Sequence, residues 1–493
     1  MLCKDKAVKL TGVRQTRAHK QQTVSDTITE ILGQHAGLGL DASIAATDGL
    51  EQAVQQDLTD WDYIVTRAEM SGQIVVSDQG KFTTLKLATP GEPVLTLEYG
   101  TNVFSFSLQV DARTQFGSVT AQSWSLDTDQ AVEVTAEVPT LTTPGNLKSA
   151  TLATALGQAD YKIFAPADVE EGPLQKMTDA LLAKRLLALV KGTLEIPGID
   201  VAPGRLVSLN RLGKRFNGTG FVSRVAHAMS DGDWKTTLTL GMEERWFAET
   251  KPDVSPSAET AAVLAGGKEG LYKAVVKAIQ PDAESKYRVQ ITINDIDKAE
   301  LWARLAQPYA TEDAGMYFYP EVGDQVVVGF LGGAGSSPVI LGSLYTKIRK
   351  PAYTPDDKNT KKAIVTKSKL TLEFDDDQKI ITLKTPAGNT LVISDADGGK
   401  GFKLTDQQKN TITLSDEGIS VISKSTLTLK ADKDLTLEST TGNVSIKATK
   451  DVSVKGLNVN GNADSSIVLK GNASAELSAA GQTTIKGALV MIN

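Results

Sequence analysis

The sequence predicts a mainly β protein of several units. Segments that mix helices and strands come first, then a small barrel of the OB type, then a C-terminal triple-stranded β-helix. Three observations predict this. The chain has 493 residues, roughly three times a 150-residue domain. Five short runs of strand-forming residues crowd into the segment 271–345, the strand density of an OB barrel. From 387 onward apolar residues come in pairs one residue apart, repeating about every eight residues, with no Pro, Trp, Tyr or Arg and with Phe402 as the single aromatic.

Composition excludes whole classes. With 41% hydrophobic residues, 42 Gly and 17 Pro, the chain is globular, neither disordered nor collagen-like. The 52 Lys and Arg against 59 Asp and Glu leave a formal charge of −7. No positive field draws such a chain to phosphates, so no nucleic-acid partner is expected. There is no run of about 18 apolar residues and no apolar core after Met1, so neither a membrane span nor a secretory signal is expected and synthesis in the cytoplasm is. Cys3 is the one cysteine, which rules out an intrachain disulfide. His19, His35 and His227 stand at no ligand-like spacing, so no metal and no cofactor is expected.

The elements follow in order. Within 1–150, Val24, Ile28, Ile31, Leu32 and His35 share a face and predict a helix over 24–36, with His35 a packed or rim residue. Thr59 and Asp62 form a capping box for a helix over 60–71, with Trp61, Ile64, Val65 and Ala68 at helical spacing. Period two then takes over at 74–76, 84–87 and 103–110. Within 151–250, a helix over 173–190 is opened by Pro173 and closed by Gly192, with Lys184 and Arg185 on its solvated face. Strands follow at 192–198, 206–209, 220–227 and 234–240. Residues 251–267 are small, polar and proline-punctuated, a linker. The barrel occupies 268–346, with strands at 271–279, 287–293, 302–305, 325–330 and 339–341. A second linker, 347–362, carries Pro351 and Pro355, and the needle runs over 363–493.

A strand of about five residues with two inward side chains, closed by a Gly, Asn or Asp turn, makes one side of a β-helix. Closing a prism takes three sides, supplied by one chain in rungs of about 24 residues or by three intertwined chains. The pairs Ile412/Leu414, Ile419/Val421, Leu427/Leu429, Leu435/Leu437, Val444/Ile446, Val452/Val454 and Ile467/Leu469 show the short repeat without a clear longer one. This favours an interwoven homotrimer over a single-chain solenoid. A narrow prism has room for Val, Ile, Leu and Ala and little for Trp or Tyr, which accounts for the missing aromatics. Gly487-Ala488-Leu489-Val490-Met491-Ile492-Asn493 is apolar where solenoids carry a polar cap. Ala488, Leu489, Val490, Met491, Ile492 and Asn493 are therefore the expected binding surface for a separate tip protein.

The barrel segment carries a resemblance. Trp302-Ala303-Arg304-Leu305-Ala306-Gln307-Pro308, the run from Gly315-Met316-Tyr317-Phe318-Tyr319-Pro320-Glu321-Val322-Gly323-Asp324 to Phe330, and Pro338-Val339-Ile340-Leu341-Gly342-Ser343-Leu344-Tyr345 resemble the OB core of VgrG-type central spike proteins. Cys3–Val8, Leu58–Tyr63 and Phe221–His227 resemble the hub part of the same proteins. The family comprises the spikes of contractile injection systems: type VI secretion, extracellular phage-tail-like particles and contractile phage hub-spikes. The resemblance implies a homotrimer whose hub, of two barrel-like subdomains per chain, joins an inner tube and baseplate, an OB collar, and a needle tipped by a PAAR-type protein. It also implies effector cargo, contact with a target-cell membrane during puncture, and assembly into a particle that is exported on contraction. Family members carry further strands before the Cys3 segment, so a truncated or reassigned start is expected. Members with a fused toxin extend past the position of Asn493, so cargo made elsewhere is expected.

No motif supports catalysis. Gly329-Phe330-Leu331-Gly332-Gly333-Ala334-Gly335 has the glycines of a phosphate loop, but a strand follows where a helix is required. Asp375-Asp376-Asp377 reads as a solvated turn, and there is no Gly-x-Ser-x-Gly elbow. The expectation is a structural, non-enzymatic spike. The alternatives are a single-chain β-solenoid adhesin, which requires monomers, and a polysaccharide-degrading tailspike, which requires paired carboxylates and aromatic platforms along the shaft.

Overall fold

The computed structural model describes residues 4–250 and 270–492, apart from 88–90, 126–127, 138–140, 142, 159, 166–168, 280–281, 283–285, 295–298 and 332–336. The linker expected at 251–267, the glycine run at 332–335, Cys3 and Asn493 lie outside the described residues. The chain divides into two compact units, Met1–Ala352 and Tyr353–Asn493.

The first unit opens with β1 (Arg14–Gln22), α1 (Val24–Gln34), β2 (Asp41–Ser43), β3 (Glu51–Thr59), α2 (Asp60–Met70), β4 (Gln73–Asp78) and β5 (Lys81–Lys86). Both helices begin where a threonine hydroxyl can accept an orphan amide. Thr23 Oγ1 accepts from the Asp26 N–H and Thr59 Oγ1 from the Asp62 N–H, each at 3.1 Å. The Asp62 carboxylate also accepts from the Thr59 hydroxyl at 2.8 Å. Ile28, Ile31, Tyr63, Ile64 and Phe82 bury together between the helices and the sheet of order β2-β5-β4. β1 and β3 form an antiparallel ribbon with Ala18 opposite Val54 and His19 opposite Ala53.

Next come β6 (Pro93–Glu98), β7 (Ser105–Val110), β8 (Ser118–Ser125), β9 (Gln130–Thr135), α3 (Ser149–Ala155), β10 (Asp160–Phe164), α4 (Glu171–Leu187), β11 (Val190–Pro197), β12 (Leu206–Asn210), β13 (Gly218–Ser230), β14 (Asp233–Leu240) and α5 (Phe247–Thr250). Six of these strands make one sheet of order β6-β12-β13-β14-β11-β7, and three make another of order β10-β8-β9. The division expected near 150 is therefore no boundary. Strands from before it pair with strands from after it in both sheets. Leu97, Val103, Leu194, Ile196, Leu209 and Val222 bury together on the six-stranded sheet.

Two details of α4 correct the sequence reading. The helix ends at Leu187 with Ala188 as its cap, and Gly192 stands inside β11. There its φ is 151°, and a Cβ would lie 1.9 Å from the Ser107 carbonyl oxygen on β7. The glycine serves strand approach, not helix termination. Lys184 is not solvated: its side chain is buried against Glu69 of α2. Arg185 is half-buried, with its guanidinium 5.4 Å from the Phe116 ring centre.

The barrel consists of β15 (Tyr272–Ala278), β16 (Val289–Ile293), β17 (Ala299–Leu305), β20 (Gln325–Phe330) and β21 (Pro338–Leu344), closed in the order β15-β16-β17-β21-β20. The short hairpin β18 (Ala310–Thr311) and β19 (Ala314–Gly315) stands outside it. Period two places Val289, Ile291 and Ile293 of β16 inside, with Ala274, Val276, Leu301, Val326, Val328 and Ile340. A parallel pairing of β17 with β21 at Arg304↔Val339 and Leu305↔Ile340 completes the closure. Val54 of β3 is buried in this same core, with Ala18 packed beside it.

The second unit contains β22 (Lys361–Val365), β23 (Thr371–Asp375), β24 (Ile380–Lys384), β25 (Thr390–Ser394), β26 (Gly401–Thr405), β27 (Thr411–Ser415) and β28 (Gly418–Ile422). They form one antiparallel sheet in chain order. Along one edge three five-residue turns repeat, at 366–370, 385–389 and 406–410. In each, the first residue's N–H donates to the fifth residue's carbonyl, at 2.9, 3.0 and 3.2 Å, and the fourth residue's N–H donates to the first carbonyl. The fourth residues, Lys369, Gly388 and Lys409, are left-handed, with φ of 68°, 95° and 65°. Such turns return the chain directly beside itself. An intertwined segment starting at 363 is thus not what residues 361–422 form, since these strands pair with their own neighbours. From 423 to 492 the described residues contain no strand, and all of them except the half-buried Ser423 are exposed.

Candidate functional site

The second unit presents surfaces that bear on function. The registers align Ile364, Leu372, Leu383, Leu391, Leu404, Ile412 and Val421 in one unbroken row across all seven strands. Two residues along on the same face, Phe374, Ile381, Ile393, Phe402, Leu414 and Ile419 make a second row. The opposite face carries Glu373, Thr382, Val392, Lys403, Thr413 and Ser420 in register, polar but for Val392. Of the apolar pairs read from the sequence, Ile412/Leu414 and Ile419/Val421 belong to these two rows, and those from Leu427/Leu429 onward lie beyond the sheet. Against the first row lies a cavity of about 860 Å³, whose walls also include Leu370 and Leu427.

The apolar rows stay uncovered within the chain. Phe402, Leu404 and Val421 are all exposed, and the next pairs, Leu427/Leu429 and Leu435/Leu437, more so. Burying a Leu or Ile side chain is worth about 1.5–3 kcal/mol, so two such rows amount to a strong drive to associate. Among the expected tip residues, Leu489, Val490, Met491 and Ile492 are described and exposed, with Ile492 at 88%.

The outer edge of the sheet at β22 is dressed with charge. Lys361 Nζ bridges Glu373 Oε1 at 2.7 Å and Asp375 Oδ2 at 2.5 Å, and the Tyr353 hydroxyl donates to Glu373. Its bonds to Asp375 and Glu373 push the Lys361 ammonium above its ordinary pKa and hold both carboxyls below theirs. Lys362 pairs with Asp376, and Gln378 N–H donates to Asp375 Oδ1 at 3.0 Å. The Asp375-Asp376-Asp377 run is therefore an ion-paired turn.

The histidines are structural. His35 Nε2 meets Asp60 Oδ2 at 2.7 Å, and His227 Nδ1 meets Thr236 Oγ1 at 2.9 Å. His19 is buried with its ring stacked on Tyr63. Among the described residues no group of three His, Cys, Asp or Glu could hold a metal ion.

Comparison with known proteins bears on the barrel and on the N-terminal part of the chain. Residues 272–345, the closed barrel, match the family described as the Type VI secretion system/phage-baseplate injector OB domain. Residues 1–231 match the family described as the Alg8 N-terminal domain. Two curated relatives share the barrel region. The actin cross-linking toxin VgrG1 of Vibrio cholerae serotype O1 is 31% identical over 75 residues, and the type VI secretion system spike protein VgrG3 of the same species is 33% identical over 72. Each match covers 15% of this chain and 7% of the relative. Among solved structures, the VgrG-containing Francisella complex with PdpA gives a TM-score of 0.43 at 10% identity, over 85% of this chain and 64% of that one. A tail protein from Neisseria meningitidis MC58 gives 0.35 at 17%, over 48% and 71%. The resemblance to VgrG-type spike proteins thus rests on the barrel, where sequence and family description coincide.

Proposed function

We propose that this chain is the structural hub and spike of a contractile injection system, joining an inner tube to a membrane-puncturing needle. The observation that carries this is the injector OB-domain match at 272–345 coinciding with a closed five-stranded barrel. The uncovered apolar rows that follow it support a homotrimer, in which three copies cover one another and 423–493 becomes the needle. The exposed Leu489, Val490, Met491 and Ile492 support a tip protein of PAAR type seated on Ala488–Asn493. In this reading the chain transmits force and performs no chemistry. The actin cross-linking in the name of the Vibrio relative belongs to that relative. The chain is made in the cytoplasm, assembles into the particle's baseplate and leaves with its effector cargo on contraction, meeting the target membrane at its tip.

Native mass tests the reading. A species of about three times 52.4 kDa, resistant to SDS without boiling, is expected. A monomer overturns it. Deleting Ala488–Asn493 should abolish tip-protein binding and leave the trimer intact, and retained binding removes the tip surface from the proposal.

A further inference from the structure

The β1–β3 ribbon has two unlike faces. Successive side chains of a strand point to opposite sides, and here the two sides meet different layers. Ala18 and the opposing Val54 go to the barrel, Val54 buried in its core and Ala18 half-buried beside it. Arg17, His19 and Gln55 go to the helices. Arg17 donates to Asp60, the first residue of α2, and to Gln55 Oε1 at 2.9 Å. The His19 ring stacks on Tyr63 of α2, with centroids 5.4 Å apart. The ribbon thus lies between the N-terminal helices and the barrel.

Its two anchors on the helix side differ in kind. Asp60 gathers Gln55 Nε2 at 2.9 Å, His35 Nε2 at 2.7 Å and Arg17. Burial opposes its ionisation, but these bonds outweigh it and hold the carboxyl below its ordinary value. His19 is less well served. It keeps 4% of its exposure, and its Nε2 is buried without a hydrogen-bond partner among the described residues. The groups that face it are Glu30 of α1, whose Oε2 lies 3.7 Å from Nδ1, Arg17 of its own strand, Tyr63 of α2 and the neutral Gln55 of β3. Gln55 is committed to Arg17, to Asp60 and to the Leu58 carbonyl. A protonated imidazole has two N–H groups to satisfy. Glu30 can take one of them, the other has no acceptor, and the Arg17 charge repels the ring.

We propose that the ribbon is an acid-operated joint, in which protonation of His19 turns its ring away from Tyr63, opens β1 from β3 and unseats Val54 from the barrel, while the Arg17–Asp60 anchor holds. Burial keeps the enclosed ring neutral, Glu30 opposing and Arg17 adding to the effect. An opened ribbon takes up a proton near the ordinary histidine value of about 6.5, and the closed ribbon does so only at lower pH. The closed form is therefore favoured above about pH 6.5 and loses that advantage as pH falls. Ala18 is next to His19 along β1 and Val54 stands opposite Ala18, so the movement reaches the barrel within two residues. In acid the N-terminal helices and the barrel lose this packed contact. The joint lies within one chain and does not depend on the assembly proposed above.

Amide hydrogen exchange on the full wild-type protein, measured from about pH 7 to 5 and corrected for intrinsic rates, tests it. The ribbon amides of Arg17–His19 and Ala53–Gln55 should open more often in acid, by up to about tenfold per pH unit, the limit for one proton. The strands β12 and β14 should keep their protection. Opening that rises equally in all strands, or a ribbon that does not respond, overturns the proposal. His19→Phe keeps a ring against Tyr63 and takes up no proton, so its ribbon should open alike across the range, and a wild-type response in that variant overturns the proposal. Val54→Cys reads the barrel side. A pyridyl disulfide, which reacts with thiols in acid as well as at neutral pH, should label position 54 faster as pH falls, by the same factor as the amide opening. A labelling rate that stays constant once the reagent's own pH dependence is removed overturns the unseating of Val54. If His19→Phe does not fold, the wild-type exchange profile and the label at position 54 decide.

Discussion

Lys184 Nζ on α4 meets Glu69 Oε1 on α2 in an ion pair shut off from water, the two side chains keeping 4% and 8% of their exposure. The other Glu69 oxygen accepts the Phe247 N–H at 2.6 Å, and the ammonium lies 5.4 Å from the Trp246 ring centre. One pair thereby ties α2, α4 and α5.

Removing one partner leaves the other charge buried alone, which costs about 3–5 kcal/mol. Lys184→Met should lower the unfolding midpoint of the full chain in urea by that equivalent. Lys184→Met with Glu69→Gln keeps an acceptor for Phe247 without a stranded charge and should recover most of the loss. Equal losses in the single and double variants would show that the stranded carboxylate is not the cause.

His19 gives the fold a dependence on acid. Burial pushes its imidazole below the ordinary value; Glu30 Oε2, 3.7 Å from Nδ1, opposes this, and Arg17 adds to it. The unfolded chain then takes up a proton near pH 6.5 that the folded chain resists, so stability falls as pH drops below about 6.5. His19→Gln should remove that part of the slope between about pH 7 and 5, and an unchanged slope would clear His19 of the effect.

Gly192→Ala should part β11 from β7. The added carbon would meet the Ser107 carbonyl oxygen at 1.9 Å, backbone that cannot swing away. A loss of at least about 1–3 kcal/mol is expected, with faster amide exchange along β7. Wild-type exchange there would place the strain elsewhere.

Thr59→Ala removes the acceptor of the Asp62 N–H and should cost about 1 kcal/mol, while Thr59→Ser keeps the hydroxyl and should cost little. Exchange at the first-turn amides of α2 reads the difference, and equal rates in the two variants would contradict the cap.

What the sequence made legible was local. Thr59 announced α2 because a cap acts within four residues, and the barrel strands announced themselves by alternation. β1 and β3 did not, since Arg14–Gln22 and Glu51–Thr59 are polar and glutamine-rich, and Val54 and His19 find their partners far along the chain or on another element, in the barrel core and at Tyr63. Lys184 looked solvated because its partner Glu69 is 115 residues away. Gly192 looked like a helix stop because nothing local reveals that β7 passes against it. In the second unit the apolar pairs were readable and their pairing was not, because the same period two serves a neighbour in the same chain or in another. The exposed residues 488–492 of the candidate tip surface were readable as apolar, and only their exposure was added by the structure.

Val54 has a mechanical consequence. It belongs to the N-terminal ribbon and yet is buried in the barrel's core, with Ala18 of β1 packed beside it, so ribbon and barrel are joined by side-chain packing as well as by the continuity of the chain. Two attachments in parallel resist twist where a single tether would act as a swivel. A torque applied to the N-terminal ribbon therefore reaches the barrel as rotation, and separating the two means shearing a packed core.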